Sequence, residues 1–196
     1  MSDLFDNNKF EKLNNFAIEP HLISYRQLLR ETIGKTVNNI KLLNLNPTYT
    51  IAECYGTLKL HREGLPLRPI CTGYLSFTNN VEEYIKNIIS PLISECKFLV
   101  SSTKQFKERF LVEKEQFNPS KHKLLSFDIT KLYPSVNVTR VISYILELLY
   151  KNPNKFFPDE YDSEGNLYPK PRRQDFLKLL HETLTKYSIF RTSKGV

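Results

Sequence analysis

Leu124-Leu-Ser-Phe-Asp-Ile-Thr-Lys-Leu-Tyr-Pro-Ser-Val136 is the stretch on which the reading of this chain turns. Leu124 to Phe127 is a short apolar run with strand character, and Asp128 follows at once. Pro134 has no N–H to donate to a β-ladder, so the strand ends by there. From Val138 apolar residues recur at 138, 141, 142, 145, 146 and 149, which is the spacing of a helix. The expectation is an aspartate at the end of a buried strand, facing a cleft just before a turn into a helix. A carboxylate so placed suits Mg²⁺, which takes hard oxygen donors and is held by one or two carboxylates plus substrate phosphates. The same spacing equally fits an aspartate that caps a turn or closes a salt bridge at a strand end.

Working outward, bulk composition sets the frame. The 196 residues are enough for one domain with a core, or for part of a larger one. Apolar residues make up 40% and charged residues 25%, as in ordinary water-exposed globular chains. The formal net charge of +7 fits a nucleic-acid partner without demanding one. Cys54, Cys71 and Cys96 show no C-x-x-C spacing and no paired histidines, which argues against zinc and fits a reducing compartment. No run of about 18 apolar residues is present, so no membrane span or membrane partner is expected. The polar start, acidic at Asp3 and Asp6, is unlike a secretory signal. The expected location is intracellular, nuclear or cytoplasmic, and not secreted.

Before the central stretch, residues 1–20 read as a flexible lead-in. Apolar positions 22, 25, 28, 29, 33, 37 and 40 predict one broken helix or two short ones, with Gly34 as the weak point. Two extended pieces, 57–60 and 65–71, flank His61-Arg62-Glu63-Gly64, which predicts a β-hairpin turning at Gly64. The hairpin carries Lys59, His61, Arg62 and Arg68. Arginine offers forked donors and lysine a point charge, so such a hairpin can grip a triphosphate, although a solvated turn carries similar charges. A helix is predicted over 81–94, capped by Asn79 or Asn80 and kinked or broken near 90 by Pro91. Residues 98–100 read as extended. Ser101 or Ser102 then caps a short helix bearing Phe106, Phe110 and Leu111. Lysines and Arg109 make 97–123 basic with glutamates between, which fits either a template groove or a solvated face. Beyond the 138–150 helix, residues 151–173 read as a long loop with solvated acids at 159, 160, 162 and 164. Residues 175–187 are helical by period, and 188–191 extended.

The wording of the central stretch resembles motif A of palm-domain polymerases, and of reverse transcriptases in particular. In that motif an aspartate binds both catalytic metals, the next residue's carbonyl helps with one, and an aromatic five places on excludes the ribose 2′-OH. The resemblance puts those roles on Asp128, Ile129 and Tyr133. A second segment, Tyr55-Gly56-x-x-Lys59-x-His61-Arg62-x-Gly64-x-Pro66-Leu67-Arg68-Pro69-Ile70, resembles the fingers motif of Penelope-like retroelement reverse transcriptases. That motif runs Y-G-L-P-K-x-H-K-x-G-x-P-L-R-P-I, and this chain departs from it at Thr57, Leu58 and Arg62. Its arginine contacts the phosphates of the incoming nucleotide, a role that falls on Arg68 with Lys59 and Arg62 beside it.

The resemblance implies an α+β fold: right-hand polymerase fingers and a partial palm, with helices packed on a small antiparallel sheet. It divides the chain into the lead-in at 1–20, a fingers-like region at 21–120 with the hairpin at 55–72, and the partial palm at 121–196. It implies an RNA-directed DNA polymerase working by two-metal Mg²⁺ nucleotidyl transfer, with RNA template, DNA primer and deoxynucleoside triphosphates as partners. The family's Tyr-x-Asp-Asp hairpin and its Gln- and Gly-containing motif are absent from these 196 residues. The expectation is therefore a retroelement fragment, inactive alone, whose second metal carboxylate is not in this chain. Two other readings stay open: a palm fragment similar to family B DNA polymerases, which share an Asp-x-x-Ser-Leu-Tyr-Pro-Ser-Ile motif, and a non-catalytic nucleic-acid-binding remnant.

Overall fold

Four helices bury one stripe each, and the stripes meet. Helix α1 (Ile18–Thr32) turns Tyr25, Leu28, Leu29 and Thr32 inward, the i, i+3, i+4 spacing of an amphipathic helix. In the computed structural model the structure describes residues 17–34, 36, 50–60, 63–65, 67–74, 76–96, 98–114, 117–123, 125–129 and 132–192. Within them, α1 is followed by strands β1 (Ala52–Leu58) and β2 (Leu67–Thr72), helices α2 (Asn79–Ser94) and α3 (Thr103–Lys114), and the short turn α4 (Leu132–Ser135). Helix α5 (Val138–Lys151), the short α6 (Pro153–Phe156), helix α7 (Arg173–Leu184) and strand β3 (Phe190–Arg191) complete the order.

The core lies where α5 and α1 pack on α7 and α2 packs on α5. Val81, Ile85 and Ile88 come from α2, Ile142, Leu146 and Leu149 from α5, and Phe176, Leu179 and Leu180 from α7. The helix expected at 138–150 is α5, and Asn137 caps it by accepting from the Arg140 N–H at 2.9 Å. Two ring clusters knit the helices. Tyr25 meets Phe77 edge-on at 5.3 Å and Tyr187 at 4.6 Å, and Phe157 meets Phe176 edge-on at 5.1 Å. The buried hydroxyls find partners: Tyr25 with Thr183 at 3.3 Å, and Tyr187 with Ser24 at 2.7 Å.

The sheet is small, as expected, but it is mixed rather than antiparallel. Its order is β2-β1-β3, with β1 and β2 antiparallel and β3 parallel to β1. The physical reason is connectivity: β1 and β2 are consecutive strands that pair antiparallel, whereas β3 follows only after five helices and one short turn, a connection long enough to bring it alongside β1 in the parallel sense. Gly64 turns the hairpin at φ +73°, a conformation glycine adopts without a Cβ clash.

Several local expectations shift. Helix α1 ends at Thr32, and the predicted helical residues at 37 and 40 lie outside the described set. Helix α2 runs through Pro91 to Ser94, so of the kink or break expected near 90 the break does not occur. Its first turn holds Asn79 and Asn80, and Thr78 stands at the cap, accepting the Val81 and Glu82 N–H groups on its carbonyl. Residues 98–100 form no strand. Ser102 caps α3 as expected, accepting from Gln105 N at 3.2 Å. The segment expected as a loop at 151–173 holds the short α6 near its start, and its remainder, 157–172, is tied down by side chains. Lys170 Nζ donates to the carbonyls of Phe157 and Pro158 at 3.0 and 2.6 Å and pairs with Asp159. Asp162 accepts from the N–H groups of Glu164 and Asn166 at 2.9 and 2.8 Å, closing a turn around Gly165.

Candidate functional site

The hairpin forms where the fingers motif falls. In its register Tyr55 faces Ile70, Gly56 faces Pro69, Thr57 faces Arg68 and Leu58 faces Leu67. Directly opposed residues share a face, and faces alternate along each strand. Tyr55, Thr57, Arg68 and Ile70 therefore lie on one side, while Cys54, Gly56, Leu58 and Leu67 lie on the other. The second side is the inner one at its base, because Cys54 is buried. Continuing the alternation one step past the strand places Lys59 on the face of Arg68. Arg68 is exposed and Lys59 half-buried. This outer face thus carries two cations and the half-exposed ring of Tyr55, a surface able to meet phosphate by charge and a base by stacking. Gly56 has a packing reason: a Cβ there would sit 3.2 Å from the Leu67 side chain on the inner face. Arg62 and His61, at the hairpin tip, lie outside the described residues.

Asp128 stands differently from the expectation. Residues 125–129 form neither strand nor helix, and all five are exposed, Phe127 at 88% and Ile129 at 62%. The buried strand end and its cleft are thus corrected, with Leu124 itself outside the described residues. The reason is pairing. A buried strand must satisfy its N–H and C=O groups on a neighbour, and among the described residues the β2-β1-β3 sheet gives 125–129 no neighbour. Tyr133 falls in α4, within the four-residue turn Leu132–Ser135.

A Mg²⁺ site needs several oxygens around one point, and Mg²⁺ gives up its hydration shell reluctantly. Asp128 offers its carboxylate and Ile129 a carbonyl. Among the described residues no group of three or more His, Cys, Asp and Glu side chains converges to hold a metal. The described residues therefore do not assemble the two-metal site on which the polymerase reaction depends.

The structure also forms a cavity that the sequence left as loop. About 620 Å³ in volume, it lies between α2 and residues 154–160, with Ile88, Tyr84, Phe156 and Phe157 beneath and Asn80, Glu83, Asn87 and Glu160 around it. Burial raises the Tyr84 hydroxyl well above its ordinary value of 10.0, and the nearby Glu160 charge adds to this. Of the acids read as solvated, Glu160 instead half-buries at this cavity and Asp159 pairs with Lys170. The apolar period of 81–92 marked the helix, but nothing in the 154–160 wording marked the wall it would face.

No helix among the described residues is long and apolar enough to cross a membrane. No family model, no curated protein and no solved structure matches the chain.

Proposed function

We propose that this chain is a fingers and early-palm segment of a reverse transcriptase, binding a nucleoside triphosphate on the outer face of its β1–β2 hairpin. The observation that carries the reading is the hairpin register. Of the residues that the motif specifies, Tyr55, Gly56, Leu67, Arg68, Pro69 and Ile70 fall on two paired strands, with Arg68 exposed on the face opposite the buried Cys54 and Lys59 one step past the end of β1. Arginine grips phosphate oxygens through two parallel N–H donors, and lysine adds a point charge. Tyr55 on the same face offers a ring for a base. The excess of basic over acidic side chains, 28 against 21, would add salt-dependent affinity for template and primer.

Asp128 belongs to this proposal as a palm carboxylate, with the Ile129 carbonyl and Tyr133 following it. Its exposure favours a second reading, in which the chain binds nucleic acid without catalysis. The two separate in one experiment. Deoxynucleoside triphosphate binding is measured by titration calorimetry with and without Mg²⁺, for the unaltered chain, Arg68→Ala and Asp128→Asn. On the first reading Arg68→Ala weakens binding about tenfold or more, the loss of charge-assisted phosphate bonds, and Asp128→Asn removes the Mg²⁺-dependent part. Nucleotide binding that ignores Arg68→Ala rejects the hairpin as a triphosphate site. Salt-sensitive RNA binding with no Mg²⁺-dependent nucleotide binding, unchanged in Asp128→Asn, selects the second reading.

A further inference from the structure

The inner face of the hairpin holds a pair of thiols. Cys54 on β1 and Cys71 on β2 are direct register partners in the antiparallel pair. Opposed residues in such a pair have Cα atoms about 4.5 or 5.5 Å apart, according to their hydrogen-bonding position. Both values fall in the range of about 4.4–6.8 Å that a disulfide spans. Opposed side chains also leave the sheet on the same face, so the two Cβ atoms point the same way. The two thiols are close enough to act on each other, Cys54 adding to burial in raising Cys71. Cys54 is buried at 5% exposure, whereas Cys71 lies on an edge strand and is exposed. Both are free thiols here, as is Cys96 elsewhere.

We infer that Cys54 and Cys71 form a redox-responsive pair that closes into a cross-strand disulfide, stapling β1 to β2 beneath the hairpin. This stands on the register and does not depend on the proposed function. The oxidant is a small disulfide such as oxidised glutathione. The Cys71 thiolate attacks one of its sulfurs, breaking that S–S bond and releasing one glutathione thiolate. Cys54, having lost its proton to solvent, then attacks the Cys71 sulfur of the mixed disulfide and expels the second glutathione. Two protein thiols are oxidised, one oxidised glutathione is reduced to two thiols, and the protons released balance those taken up. Exposure makes Cys71 the entry point, and burial makes Cys54 the resolving thiol. Burial first, and then the bond to Cys54, pushes the Cys71 thiol up to about 12. The pair is therefore slow at neutral pH and speeds up about tenfold per pH unit as the thiolate fraction grows.

The test uses the full chain carrying Cys96→Ser, so that no third thiol competes. It is incubated folded with oxidised glutathione and mapped by mass spectrometry without reduction. The expected product is a peptide joining residues 54 and 71, lighter by two hydrogen atoms and reopened by dithiothreitol. In the folded chain the mixed disulfide at Cys71 closes onto Cys54 without accumulating. A Cys71→Ser companion should leave Cys54 unmodified over the same interval. A lasting glutathione adduct at Cys71 with Cys54 free overturns the inference, and so do disulfide-linked dimers.

Discussion

Residues 98–136 and residues 138–192 are both supplied with phenylalanine, leucine, isoleucine and valine, yet the two regions end in opposite environments. In the second, Ile142, Leu146, Leu149, Phe157, Phe176, Leu179 and Leu180 are almost wholly withdrawn from water. In the first, Phe98, Phe127, Val112 and Leu125 stand in it. Apolar content does not separate them. What does is the presence of a partner with a matching stripe: α5 and α7 carry apolar positions at helical spacing and face each other, whereas Phe106 and Phe110 of α3 stack on one another at 5.9 Å and both stay exposed. A strand is more demanding still, because its backbone as well as its side chains must find a neighbour.

This contrast is open to breakage. The largest effect belongs to the rings. Phe176→Ala should cost about 3–5 kcal/mol, the usual loss for emptying a packed aromatic site. Phe127→Ala should cost less than about 0.5 kcal/mol, as at unpacked surface positions. Urea unfolding of both variants checks the pair, and a comparable loss at position 127 would mean that the exposed region packs after all.

A second contrast is chemical. Burial, first among its causes, raises the Tyr25 hydroxyl far above its ordinary value of 10.0. Unfolded, Tyr25 ionises near pH 10; folded, it stays neutral. The unfolded state therefore binds fewer protons above pH 10. Stability from this group is fully present below that pH and declines by about 1.4 kcal/mol per pH unit above it, until the folded value is reached. Tyr25→Phe should flatten that decline. Unfolding midpoints measured between about pH 8 and 11.5 give the answer, and an unchanged slope would remove Tyr25 from the alkaline limb.

The smallest effect lies at the boundary between the regions. Asn137 is exposed, but its side chain closes the first turn of α5. Asn137→Ala should cost about 1 kcal/mol and Asn137→Ser much less. Equal losses in thermal unfolding would show that the cap is not what anchors the body at that end.

Much of the body was legible beforehand because its signals are local. The apolar period over 138–149 marked α5, the turn residues near Gly64 marked the hairpin, and the extended Ser188–Arg191 marked β3. Thr57 and Arg68 came out on one face because alternation along a strand has a strict period of two. Pro91 does not end α2, since a proline near a helix end removes only one ladder bond there and the flanking turns hold. Asp128 misled for a longer-range reason: its strand character was judged from its own residues, and strand formation depends on a neighbour that those residues do not specify.

Periodicity, turn chemistry and charge in the chain were sufficient to establish the helix stripes and a cationic hairpin, because each depends on residues within a few positions of one another. Three-dimensional assembly alone settled the parallel return of β3 onto β1, the placing of Cys71 against Cys54, the cavity beside α2 and the exposure of Asp128. Each of these depends on which distant segment arrives alongside, and contacts of that kind are set by mutual packing and backbone pairing rather than by the preferences of either segment.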